Sequence, residues 1–160
     1  MSQMNTVSNI KPSDVAKYYL YRASEDGELI TPLKMQKLVY YAYSWVLVKN
    51  NAKLFEESLQ AWPNGPVAPS LYKELKKYGS GPIETDFINV NSLEELTGGI
   101  PSDVKQTLDD VYEKYMVLPA FKLVVLTHNE KPWLNARKGL AADEKSNNVI
   151  KDEDIVAQYA

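Results

Sequence analysis

The chain of 160 residues contains no cysteine and a single histidine, His128, and these two shortages narrow the chemistry it can perform. Without cysteine there is no disulfide, no thiolate metal ligand and no thiol nucleophile. A zinc site normally needs several Cys or His ligands, so one histidine predicts that the protein binds no metal. The lack of cysteine also suits the reducing cytoplasm.

Long apolar runs and glycine-rich loops are missing as well. No stretch reaches the roughly 18 apolar residues that a helix needs to cross a bilayer, so no membrane span is predicted. Residues 1–10 have neither the basic start nor the apolar run of a signal peptide. The seven glycines are scattered and do not form the spacing of a phosphate-binding loop. No serine lies in a Gly-x-Ser-x-Gly turn.

Positive charge is in short supply. The chain has 18 Lys and Arg against 21 Asp and Glu, a formal net charge of −3. Affinity for nucleic acid comes largely from neutralising phosphates, which normally requires a basic surface. The cluster Lys73, Lys76 and Lys77 is interrupted by Glu74, a pattern typical of a solvated helix face. Nucleic acid is therefore not expected as the main partner.

What the chain does contain is enough apolar material for one core. Its 44% hydrophobic and 24% charged residues are typical of a single globular domain. We expect a flexible N-terminal tail over residues 1–10 and one domain over residues 11–160. Helical spacing of apolar residues recurs throughout, so the fold is predicted to be mostly α. It is a compact set of helices around a buried central helix, with room for one or two short strands.

The strongest helical pattern predicts that central helix. Thr31 is a good N-cap, and Pro32 stands at the first helical position, where its missing N–H costs nothing. The apolar residues that follow cover nearly all faces of the helix, which is typical of a buried element. Asn50-Asn51 tolerates the left-handed conformation that ends helices.

Start and stop residues predict the remaining elements. Trp62-Pro63-Asn64-Gly65-Pro66 predicts a turn, because Pro63 fixes its own φ and Gly65 relieves crowding before Pro66. Phe87 to Val90 is a candidate short strand. Further helices are expected to begin at, or be capped by, Ser13, Pro69, Ser92, Ser102, Pro119, Pro132 and Asp152.

His128 and the carboxylates are the remaining candidates for catalysis. His128 could act as a general base or an interface contact, or it could hold the structure together by bonding a backbone carbonyl or Glu130. We favour the structural role, because the sequence offers His128 no nucleophile and no second metal ligand. The pairs Asp109-Asp110 and Glu94-Glu95 lie on predicted helix surfaces. We expect no catalytic residue and no cofactor, so the protein is not predicted to be an enzyme.

Three stretches carry a resemblance to a known family. The first is Thr31 to Ala42, TPLKMQKLVYYA, followed by Trp45. The second comprises Leu54-Phe55, Ala61-Trp62 and Gly65-Pro66-Val67, with Tyr72 beyond, and the third is Leu126 to Trp133, LTHNEKPW, with Ala136-Arg137. In this order they resemble the Panacea domain of SocA-like antitoxins across about residues 15–159. Met35 stands where leucine is usual, and Asn129 where glutamine is common.

The resemblance implies a function that periodicity does not show. Panacea proteins are antitoxins, often encoded beside unrelated toxins, and they neutralise a toxin by direct protein contact in the cytoplasm of bacteria or in a phage or prophage setting. The cognate toxin is therefore the expected partner, with the oligomeric state left open. The motif positions taken as candidate partner-binding residues are Trp62, Asn64, Gly65, Pro66, Val67, Ser70, Tyr72, His128, Glu130 and Trp133.

Other functions remain open at this point. The protein could be an adaptor that delivers its partner to a protease, or a DNA-binding transcriptional repressor, since antitoxins of other kinds bind their own promoters. The acidic charge and the lack of a helix rich in Arg or Lys argue against the repressor. An enzyme that uses His128 and Glu130 is the least favoured alternative.

Overall fold

The structure is a computed structural model, which describes residues 5–7 and 9–160. Within these residues the fold is mostly α, as predicted, with four very short strands. The helices are α1 Pro12–Glu25, α2 Pro32–Asn50, α3 Pro69–Leu75, α4 Leu93–Thr97, α5 Ser102–Tyr115, α6 Ala120–His128, α7 Lys131–Ala136 and α8 Asp152–Tyr159. The strands are β1 Asn5–Thr6, β2 Ala52–Lys53, β3 Gln60–Trp62 and β4 Gly65–Val67.

Helix α2 is the buried centre of the domain, which confirms the sequence prediction. The Thr31 hydroxyl caps it by accepting the Lys34 backbone N–H at 3.3 Å. Asn51 ends it in the left-handed conformation, with φ of 51°. Helices α1, α3, α5, α6 and α8 and strand β4 all pack against α2, so twelve of its nineteen residues are buried.

The four strands form two separate pairs. Strand β1 pairs with β2 in parallel, and β3 pairs with β4 antiparallel, with Trp62 opposite Gly65. The predicted turn is thus the tip of a hairpin, closed by Pro63 and Asn64. The outer edge of β3 is covered by the segment before α8, because the Ala61 N–H donates to the Asn148 carbonyl at 2.9 Å.

The expected N-terminal tail lies partly outside the described residues, which omit 1–4 and 8. Asn5–Thr6 form β1 against Ala52–Lys53. The flexibility of residues 1–10 as a whole stays a prediction.

Several predicted helix starts are shifted by one residue. Ser13 does not cap α1, which begins at Pro12. The Asp14 carboxylate instead accepts the backbone N–H of Lys11, the residue that precedes the helix, at 2.9 Å. Ser102 and Asp152 are likewise the first helical residues of α5 and α8 and not their caps.

The candidate strand from Phe87 to Val90 was wrong. Residues Thr85–Phe87 form a 3-10 turn, and none of the strands in the described residues pairs with them. Phe87 and Ile88 are half-buried against the core. Their apolar character therefore reflects packing of a loop and not sheet formation.

Tyrosines fill much of the core around α2. The Tyr41 ring stacks on Tyr115, with centroids 4.0 Å apart, and the Trp45 indole N–H donates to the Tyr115 hydroxyl at 2.8 Å.

No helix in the described part of the chain is both long enough and apolar enough to cross a membrane.

Candidate functional site

The hairpin β3–β4 lies where all three sequence motifs meet, and α2 holds it from below. The Gln36 side chain pairs with the backbone of Ala68, accepting its N–H at 2.9 Å and donating to its carbonyl at 3.2 Å. The Lys37 ammonium donates to the Pro66 carbonyl at 3.0 Å. Both side chains are buried, so α2 replaces the water that would otherwise solvate the end of the hairpin.

Lys37 is the most unusual charge in the molecule, because its side chain is fully buried and forms no salt bridge among the described residues. Burial lowers the pKa of Lys37 from its ordinary value to about 7. Gly65 leaves the space that this side chain needs: a Cβ at position 65 would lie 2.5 Å from the Lys37 Cε. Gly65 also has a φ of 114°, which disfavours any other residue.

Helix α7 holds the hairpin from the other side. The Trp133 indole N–H donates to the Trp62 carbonyl at 2.8 Å, and Arg137 Nη1 donates to the Ala61 carbonyl at 2.9 Å. The Arg137 guanidinium also lies over the Trp133 ring, at 5.3 Å from its centroid. Its Nη2 donates to the carbonyls of Ala141 and Glu144. A buried arginine thus ties the hairpin to the chain that follows α7.

His128 has a packing partner but no catalytic one. Its ring stacks on Trp133 with centroids 4.0 Å apart and planes inclined by 14°. Its Nε2 is buried and has no hydrogen-bond partner among the described residues. Burial lowers the pKa of His128, and the positive charge of Lys37 lowers it further, against the opposing effect of the Pro63 backbone.

Glu130 belongs to a different cluster. Its carboxylate accepts hydrogen bonds from the hydroxyls of Tyr41 at 2.7 Å and Tyr159 at 2.9 Å. Burial raises the pKa of Glu130, while these two hydroxyls lower it. His128 and Glu130 are therefore near in sequence but engaged in separate contacts, and the structure does not assemble them into an acid–base pair.

The ten candidate partner-binding positions divide into three groups. Gly65, Pro66, Val67 and Trp133 are buried, whereas Trp62, His128 and Glu130 are half-buried. Of the ten, only Asn64, Ser70 and Tyr72 are exposed, at the hairpin tip and in the helix beyond it. Tyr72 is 42% exposed and meets the edge of Trp62 at 4.8 Å.

The start of α3 is already occupied by an acidic group. The Ser70 backbone N–H donates to the Glu57 carboxylate at 3.0 Å. This hydrogen bond was not predictable from the sequence, because nothing in the local pattern links position 57 to position 70. A partner carboxylate would have to displace Glu57 from this position.

Comparison with known families identifies the scaffold. The family model described as Antitoxin SocA-like, Panacea domain, matches residues 35–134, which run from α2 through the hairpin to α7. The chain belongs to the SocA-like Panacea family of antitoxins. No curated protein and no solved structure matches the chain significantly.

The match includes most of the residues that hold the hairpin. Gln36, Lys37 and Trp133 all lie inside the matched span, and each bonds the hairpin backbone. Arg137, just beyond it, does the same. The motif residues that carry the resemblance thus build the domain from within.

One exposed surface of this Panacea domain was missed by the sequence analysis. The apolar stretch from Leu118 to Leu126 forms the helix predicted to open at Pro119, but on α6 only Leu123 and Thr127 are buried. Phe121 is 65% exposed and Val125 is 55% exposed. The available signal was the four-residue spacing of Phe121 and Val125, which puts two apolar side chains on one side of α6, opposite Leu123 and Thr127.

Proposed function

We propose that the protein neutralises a cognate toxin by binding it directly, in the cytoplasm of a bacterium. The observation that carries this proposal is the membership of the Panacea antitoxin family. The resemblance described above implies direct protein contact as the mode of neutralisation. It also implies that the toxin gene stands beside the gene for this chain, within a bacterial or prophage genome.

The geometry of the polar residues supports a binding role over a catalytic one. His128 is stacked against Trp133, and Glu130 is held by two tyrosine hydroxyls. Each is used in packing, and neither faces a nucleophile. A general base must reach the proton that it removes, and these contacts leave no such geometry.

The exposed hairpin residues are our first candidates for toxin contact. Asn64, Ser70 and Tyr72 surround a short turn that the buried contacts of Gln36 and Lys37 hold in place. A rigid turn loses little conformational entropy on binding, which favours affinity. Three residues are nevertheless far fewer than the roughly 20–30 per partner that a stable interface normally contains.

The experiment is co-expression of this chain with the product of the neighbouring toxin gene. We expect restored growth and recovery of both proteins in one complex. The double variant Asn64→Arg with Tyr72→Ala should reduce co-purification while its circular dichroism and melting temperature stay close to those of the wild type. Asn91→Arg is the matched control, since it adds the same charge at an exposed position in the loop before α4.

The toxin level separates the two modes of neutralisation. If the antitoxin blocks the toxin, the amount of toxin in the rescued cells is unchanged on an immunoblot. If it delivers the toxin to a protease, the toxin level falls and recovers when the protease is removed. Growth rescue without any detectable complex would contradict the proposal of direct binding.

A further inference from the structure

The surface of α6 carries the most prominent exposed apolar side chains of the Panacea domain. Val117, in the turn before α6, is 78% exposed, and Phe121 and Val125 follow at 65% and 55%. Leu126 extends the strip at 36%. We define the α6 face as Val117, Phe121, Lys122, Val125 and Leu126. Phe121 and Val125 stand four residues apart on α6 and form one ridge, and Val117 lies in the turn that precedes the helix.

The exposed charged residues close to α6 in the sequence are basic. Between residues 114 and 138, all of which the structure describes, the exposed basic residues are Lys114, Lys122, Lys131 and Lys138, while Arg137 is buried. The only acidic residue in this interval is Glu130, which is half-buried and bound to Tyr41 and Tyr159. In a chain with a net charge of −3, the segment that contains α6 is locally basic.

The charge argues against a second copy of the chain as the occupant. Two α6 faces packed about a two-fold axis would bring the same basic residue, Lys122, from both sides into one interface. Like charges at close range disfavour such a contact, and the face supplies no carboxylate to neutralise them. A partner must instead supply acidic groups beside an apolar surface.

We propose that the α6 face binds an amphipathic helix of the toxin whose apolar stripe is bordered by Asp or Glu. This inference rests on the proposed function and adds the surface and the chemistry of the partner. A ridge of side chains four residues apart packs into the groove of another helix. Phe121 supplies the large anchor of the contact, and Lys122 selects for acidic residues at its rim. Helix α6 packs against β4 through its buried side, where Thr127 lies beside Gly65, and this leaves the opposite face open to a partner.

The test measures the affinity of the purified full chain for the purified product of the neighbouring toxin gene by calorimetry. Phe121→Gln should weaken binding by at least about tenfold, since large buried anchors dominate interfaces. Leu29→Gln is the matched control: Leu29 is 73% exposed but lies in the loop before α2. Both variants change exposed side chains, so both should melt like the wild type.

A charge pair tests the chemistry of the partner. Lys122→Glu should weaken binding more than Lys122→Gln does. A higher salt concentration should reduce the difference in affinity between these two variants. Equal affinity of Phe121→Gln and wild type would overturn the α6 face while leaving direct binding intact. If Lys122→Glu binds the toxin more tightly than the wild type does, the claim that the partner surface is acidic is wrong.

Two further outcomes are distinct from these. No binding of the wild type to the toxin would refute the proposed function itself, and with it the toxin as occupant. A wild-type dimer in analytical ultracentrifugation that Phe121→Gln converts to a monomer would show that a second copy occupies the face, which also overturns the inference.

Discussion

At the scale of single residues, Lys37 is the side chain that the fold treats most unusually. It lies in the middle of a helix that is apolar on nearly every face, and its ammonium group reaches the Pro66 carbonyl. Burial of a charge without a carboxylate is costly, so the group releases its proton more easily than a lysine in water. The protonation state of Lys37, which holds the hairpin, therefore makes the stability of the fold depend on pH.

We expect the free energy of unfolding to rise between pH 7 and pH 9. The pKa of Lys37 is about 7 in the folded protein and has the ordinary value of 10.5 in the unfolded chain. Between these values the unfolded chain holds more protons than the folded one, so stability increases with pH. The gain attributable to Lys37 is about 2 kcal/mol over this interval. Urea denaturation at both pH values measures it.

Lys37→Met is the reference protein for that measurement. Methionine has a similar length and no titratable group, so the variant should lack this part of the pH dependence whatever its absolute stability. Tyrosine titration is common to both proteins. Parallel stability curves for wild type and Lys37→Met would mean that Lys37 keeps its ordinary pKa and stays charged in the core.

Trp133 is the other residue whose contribution can be measured directly. It is 8% exposed, stacks on His128 and bonds the Trp62 carbonyl. We expect Trp133→Ala to lower the free energy of unfolding by about 3–5 kcal/mol, as large-to-small changes in a core do. Leu134→Ala is the matched control, because Leu134 is adjacent and 42% exposed. A similar loss in the two variants, seen by thermal or urea unfolding, would rule out Trp133 as an anchor of α7.

At the scale of elements, the hairpin is the part of the fold that depends most on its neighbours. Two three-residue strands cannot be stable alone, and here they are attached to α2 through Gln36 and Lys37 and to α7 through Trp133 and Arg137. The closest approach is at Gly65, where the backbone passes directly beside the Lys37 side chain.

Gly65→Ala should therefore lower the free energy of unfolding by more than an ordinary glycine substitution does. The new methyl group would overlap the Lys37 side chain, and the residue would also keep an unfavourable φ. We expect the free energy of unfolding, measured by urea denaturation, to fall by roughly 2–4 kcal/mol because of backbone strain and overpacking together. Gly27→Ala separates the two causes: Gly27 also has a positive φ, of 71°, but nothing within 4 Å of the added carbon. Equal losses in both variants would leave no role for the contact with Lys37.

Caps and turns were predictable from the sequence because their causes are local. Thr31, Pro32 and Asn51 fix both ends of α2, and Pro63 and Gly65 fix the hairpin tip. The inward direction of Gln36 and Lys37 was not predictable, since a polar residue in a helical pattern is expected to face water. Their partners lie 29 and 32 residues away, and only the tertiary structure brings them together.

At the scale of the whole molecule, the family motifs and the α6 face share only Leu126. The motifs that indicated the Panacea domain include Gln36, Gly65 and Trp133, which are buried. The α6 face was missed because an apolar helix is expected to be covered by its own domain. Periodicity places its residues on faces but does not say which face the rest of the chain will cover. An apolar helix face left exposed is thus a property of the assembled fold, and a surface that meets a partner can vary without changing the scaffold.

The attachment of the hairpin to α7 has a consequence for synthesis on the ribosome. Trp62 and its partner Trp133 are separated by 71 residues. At a translation rate of about 5–20 residues per second, Trp133 is added to the chain roughly 4–14 s after Trp62. During that interval Lys37 can already hold the Pro66 carbonyl, but α7 does not yet exist. Nascent chains that end before residue 133 would therefore present a loosely held hairpin, so the complete Panacea domain forms late in translation.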